Sequence, residues 1–167
     1  RVLEDGGASD AHFGFCSDFR FAPVTVNRML ADGEIITLGS TRLKTHHHPG
    51  HTEGSSSYSM TINENGRVYR VLIANMGTIN QGKRLVVDPT YDGVSLDFAG
   101  TFKQQLAMQV DIWVASHGSQ YGLANKHTPG QPYSPETFLD PEGFKAEVSR
   151  LEKLYLDQLK LEGASTR

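Results

Sequence analysis

Ser57-Tyr58-Ser59-Met60-Thr61-Ile62, then Asn65-Gly66, then Arg67-Val68-Tyr69-Arg70-Val71-Leu72-Ile73-Ala74 read in succession as one β-hairpin. The first run alternates small polar with large apolar residues, the period of a strand with one buried face. Asn-Gly accepts positive φ at both central positions of a tight turn. The second run becomes wholly apolar at its end, as a buried strand does.

Working upstream, Thr41-Arg42-Leu43-Lys44-Thr45-His46-His47-His48 reads as a further strand. The apolar run Ile35-Ile36-Thr37-Leu38 precedes it, set off by Asp32-Gly33 and Gly39-Ser40 turns. Val24-Thr25-Val26 is β-branched and carries the first strand signal. Short strands separated by such turns describe a meander. Residues 1–23 are irregular and turn-rich. A chain whose ordered part opens in a loop raises the expectation of a segment upstream.

Working downstream, residues 75–94 are loop-like. Phe98, Phe102, Leu106 and Val110 recur every four residues, so 95–110 is expected to be an amphipathic helix. Asp111-Ile112-Trp113-Val114-Ala115-Ser116 reads as a short buried strand, and 117–141 as a long Gly/Pro-bearing loop. Phe144, Val148, Leu151, Leu154 and Tyr155 mark a last helix over about residues 142–161. Strands followed by helix, strand and helix give an α/β or α+β layered domain. The 167 residues suffice for one such domain, read here as 1–167.

Composition narrows the function. A formal charge of -3 with scattered Lys and Arg gives no footprint for nucleic acid. No apolar run approaches the roughly 20 residues of a membrane helix. A single cysteine, Cys16, rules out an internal disulfide framework and a Cys-rich zinc finger. Ser55, Ser56 and Ser57 lack a Gly-x-Ser-x-Gly elbow, which argues against a serine hydrolase.

The residues that could carry chemistry stand at strand ends. Pro49-Gly50-His51-Thr52-Glu53-Gly54 ends one strand in a sharp turn and presents a histidine. Ser116-His117-Gly118 does the same after the last strand. Two neutral imidazoles at strand ends could form a zinc corner. They could equally be loop histidines that cap backbone groups. Alternation puts His46 and His48 on one face and His47 on the other, where packing or hydrogen bonding under the site is the simpler role. Glu53 as a general base and Cys16 as a catalytic thiolate are weaker readings, and His12 and His127 read as ordinary loop residues.

Pro49-Gly50-His51-Thr52-x-Gly54, the hairpin after it and Ala115-Ser116-His117 together resemble the metallo-β-lactamase superfamily. Leu3-Glu4-Asp5-Gly6-Gly7-Ala8-Ser9-Asp10, Asp32 to Gly39, His46 to Thr52, Val71 to Met76 and Asp111 to His117 are similar, in order, to the third subclass of class B β-lactamases, and within it to the GOB type. The resemblance implies an αββα sandwich, present here mainly as its C-terminal half. It implies two zinc ions, with His51 a ligand of the first and His117 a ligand of the second. Hydrolysis of the β-lactam amide of a small-molecule substrate would then use zinc-activated water, with no side chain as nucleophile. Thr78 stands where a family hydroxyl helps hold the substrate carboxylate, with Asn75 and Met76 beside it in the same implied substrate-binding stretch. A loop hydroxyl satisfying its own backbone is the alternative reading of Thr78.

Relatives such as the glyoxalase II-like hydrolases place an aspartate in the 75–78 stretch, and none stands here. The family's His-x-His-x-Asp-His type motif is also absent from this sequence. The resemblance therefore implies a missing N-terminal segment as partner, an exposed apolar sheet face, and weak zinc binding by 1–167 alone. It further implies a periplasmic or secreted parent enzyme. A lactone or thioester hydrolase, or a non-catalytic fragment, are the competing readings.

Overall fold

A computed structural model describes residues 1–164. Five strands form one sheet in the order β1 (Ile35–Leu38), β2 (Thr41–His47), β3 (Ser56–Glu64), β4 (Arg67–Ala74) and β5 (Ile112–Ala115). The first four pair antiparallel, as a meander must, while β5 lies parallel to β4. The crossover between them carries α1 (Val94–Ala107). A short α2 (Leu123–Lys126) and a long α3 (Pro141–Ala164) follow. At the hairpin tip Asn65 has φ 52° and Gly66 φ 84°, the positive values that this dipeptide tolerates.

The core lies on one face of the sheet. Leu72, Ala74 and Trp113 meet Phe98 and Phe102 of α1 and Phe144, Val148, Leu151 and Tyr155 of α3, all buried. The Phe98, Phe102 and Tyr155 rings are 5.7 to 6.0 Å apart between centroids, and the Tyr155 hydroxyl donates to the Ser95 carbonyl at 2.8 Å. Fully burying each such ring contributes roughly 1.5–3 kcal/mol. The opposite face carries Tyr58, Met60, Val71 and Ile73, which stay outside this core; Ile62 and Ile73 are each 39% exposed. The fold is thus a five-stranded sheet with helices packed on one face, while on the other face Ile62 and Ile73 stay exposed.

Several boundaries differ from expectation. Val24-Thr25-Val26 forms no strand. Val24 is exposed and its amide is held by the Leu3 carbonyl at 2.8 Å, so no partner strand meets it. A β-branched run needs a half-buried surface to pack on, and that is missing there. The first helix stops at Ala107 although Val110 continues its periodicity. Met108 is already extended, because the chain must turn into β5, where the Asp111 amide donates to the Arg70 carbonyl at 2.9 Å. Val110 is buried from the extended link instead. The 117–141 loop holds α2 and two single 3-10 turns. The last helix starts at Pro141, where a missing N–H costs nothing, and Asp140 caps it by accepting from the Gly143 amide at 3.0 Å.

Candidate functional site

Topology brings the strand ends together. The end of β2 pairs with the start of β3, the end of β4 lies on that same edge, and β5 runs parallel to β4 with Ala74 opposite Ala115. The turns carrying His51, Thr78 and His117 therefore leave one edge of the sheet.

His51 is half-buried and is fixed by the neighbouring turn. Its Nδ1 lies 2.8 Å from the Thr78 carbonyl and 3.1 Å from the Thr78 hydroxyl. A carbonyl can only accept, so Nδ1 carries the proton and Nε2 keeps its lone pair. This is the arrangement of a metal-ligating imidazole, whose second nitrogen is anchored on an acceptor. His117 is exposed immediately beyond β5. Its backbone is clamped: the Gln120 amide donates to its carbonyl at 3.0 Å and its own amide donates to Gln120 Oε1 at 3.2 Å.

The donor chemistry of both residues fits zinc, but the set is incomplete. Among the described residues no group of three or more His, Cys, Asp and Glu side chains could hold a metal ion. Catalytic zinc sites use about three protein ligands.

The other predicted residues separate into two kinds. Thr78 touches His51, whereas Asn75 and Met76 face inward. Met76 is 3% exposed and belongs to the core. Asn75 is pinned by its backbone: its amide donates to Ser57 Oγ at 2.9 Å and its carbonyl accepts from Gln105 Nε2 at 2.8 Å. His46 and His48 share a face, with ring centroids 5.8 Å apart, while His47 points the other way and bonds the Glu53 carbonyl at 2.8 Å.

One face of α1 grips both turns, a role that the sequence reading missed. Thr101 donates to the Pro49 carbonyl at 2.7 Å, and Gln105, one helical turn on, holds the Asn75 carbonyl. On the same helix, Phe98 lies where a Cβ on Gly50 would stand 2.8 Å away, and Phe102 where one on Gly77 would stand 2.6 Å away. Glycine at both positions thus permits the close approach. The available signal was two polar residues, Thr101 and Gln105, on the apolar stripe of an amphipathic helix.

Beneath the turns lies a sealed polar cluster. His48 is 1% exposed, and its Nδ1 lies 2.7 Å from Ser57 Oγ and 3.3 Å from Gln105 Nε2. Gln105 can only donate through that nitrogen, so Nδ1 accepts and Nε2 carries the proton. Desolvation pushes the His48 pKa down to about 4, and the neighbouring His46 pushes the same way. Burial likewise lowers His46, reinforced by Lys44.

No family model matches the chain. Solved structures do. The class B3 di-zinc metallo-β-lactamase LRA-12 from an Alaskan soil metagenome is 41% identical with a TM-score of 0.88, and the match covers 95% of this chain. The metallo-β-lactamase GOB-18 from Elizabethkingia meningoseptica is 40% identical with a TM-score of 0.88, again over 95% of this chain. FEZ-1 from Legionella gormanii is 32% identical with a TM-score of 0.90 over 97% of this chain. The chain spans 60%, 58% and 62% of those three structures respectively, in each case less than two thirds.

Proposed function

Because the chain is a relative of the class B3 metallo-β-lactamases and matches their C-terminal portion, we propose that it supplies the C-terminal part of a zinc-dependent β-lactam hydrolase. The observation that carries this reading is the His51 ring, anchored through Nδ1 on Thr78 and leaving Nε2 free on the sheet edge that also bears His117. In this reading His51 and His117 each donate to one of two zinc ions. The remaining donors come from the segment corresponding to the other two fifths of the relatives. When bound, zinc would polarise the lactam carbonyl and lower the pKa of a water toward about 7.

The chain's own residues orient and hold. The Thr78 carbonyl sets the His51 ring, and its hydroxyl oxygen also lies within reach of Nδ1. The Thr78 O–H therefore remains available to donate to a substrate carboxylate. Asn75 and Met76 contribute by fixing that loop from below, Asn75 through its backbone and Met76 through the core. The sheet face on which Ile62 and Ile73 stay exposed suits the segment corresponding to the other two fifths of the relatives as its partner. A periplasmic or secreted location belongs to the same proposal.

Complementation tests it. The chain is joined to the N-terminal portion of GOB-18 and assayed with nitrocefin and a carbapenem. The expected result is hydrolysis that chelator abolishes and that His51→Ala and His117→Ala each reduce greatly. Hydrolysis surviving both substitutions, or persisting in chelator, would contradict the proposal.

A further inference from the structure

Lys83 is 3% exposed, yet its ammonium has no ion pair and no hydrogen bond among the described residues. Its ammonium lies over the face of Tyr91, 5.5 Å from Nζ to the ring centroid. A buried charge without a partner is costly, and native proteins rarely leave one so. Burial lowers the Lys83 pKa, and the charge of Asp10, on the same cavity lining, pulls it back up.

The lysine lines a cavity of about 550 Å³, within the usual range of small-molecule sites. Leu3, Val26, Met29 and Leu30 supply an apolar wall, and the polar turn Thr52 to Gly54, next to His51, closes another side. The other charged groups on the lining are already engaged or turned outward. Asp10 Oδ1 accepts from the amides of His12 and Phe13 at 2.9 and 2.7 Å. Arg28 is taken by Glu34, and Glu53 is exposed. One buried cation with three unused N–H donors therefore faces a half-apolar cavity.

We infer that this cavity is a binding site for a monocarboxylate with an apolar body, with the Lys83 ammonium on the carboxylate and the Leu3, Val26, Met29 and Leu30 wall on the apolar part. The site is separate from Thr78 and independent of zinc.

The test uses the 167-residue chain, phenylacetate as probe and inorganic phosphate as comparison. Phenylacetate should raise the melting temperature saturably, and move the amide resonances of Ser9, Thr52 and Tyr91, while phosphate at equal concentration should do neither. Lys83→Met should bind phenylacetate at least about tenfold more weakly. It should also melt higher than the parent without ligand, because an unpartnered buried charge has gone. An unresponsive parent chain would overturn the inference, and so would equal binding by Lys83→Met. Phosphate acting as well as phenylacetate would remove the apolar recognition. A lower melting temperature for Lys83→Met would show the ammonium to be internally paired, which also overturns it.

Discussion

Acidification from pH 7 to 4.5 should weaken this fold through His48 in particular. The unfolded chain protonates that ring near pH 6.5, whereas in the folded chain it protonates at about 4. The unfolded state thus binds more protons between those values. The stabilising contribution is complete above about 6.5 and is lost as the pH falls through about 4. A tenfold difference in proton affinity between the two states is worth about 1.36 kcal/mol, and integration from pH 7 to 4.5 gives a loss of about 2–2.5 kcal/mol. That is a large part of the roughly 5–15 kcal/mol typical of a domain. The cause is structural: the ring is sealed from water, and the neighbouring His46 pushes the same way. The assay is denaturant unfolding at both pH values for the parent and for His48→Gln, which cannot titrate there. The parent should lose about 2 kcal/mol more than the variant, His46 contributing to both. Equal losses would refute the burial and tautomer assigned to His48.

Further outcomes follow from the grip of α1. Gly77→Ala places a Cβ 2.6 Å from the Phe102 ring and should cost about 1–3 kcal/mol in unfolding experiments, while Gly54→Ala, with nothing within 4 Å, should be near neutral. Thr101→Val leaves the Pro49 carbonyl without its donor and should cost about 1–2 kcal/mol, with faster amide exchange at Gly50 and His51. The 167-residue chain dialysed against sub-micromolar zinc should take up little, since no cluster of three donors assembles among the described residues. Tight stoichiometric uptake would show that the donor set is fuller than two histidines.

The hairpin, β5 and both long helices were legible because each announces itself locally, by period, by Asn65-Gly66 or by a spaced apolar stripe. Val24-Thr25-Val26 misled because propensity is realised only against a partner, and that run meets none. The histidine triplet read correctly, since alternation alone puts His46 and His48 together. What the sequence hid is contact across distance. Thr101 and Gln105 look like surface interruptions of an apolar stripe until the turns they hold are folded beside them. Met76 looked like a loop residue near substrate, but the loop dips and buries it. Lys83 gave no local signal, because its isolation comes from the N-terminal segment and the 52–54 turn closing around it.

The most direct test of the central claim is diffraction from crystals of the complemented enzyme, recorded at the zinc absorption edge. Two anomalous peaks are expected, one about 2.0–2.1 Å from His51 Nε2 and one at that distance from a ring nitrogen of His117. Zinc absent from either ring, or His51 coordinating through Nδ1 with its bond to Thr78 broken, would contradict the account.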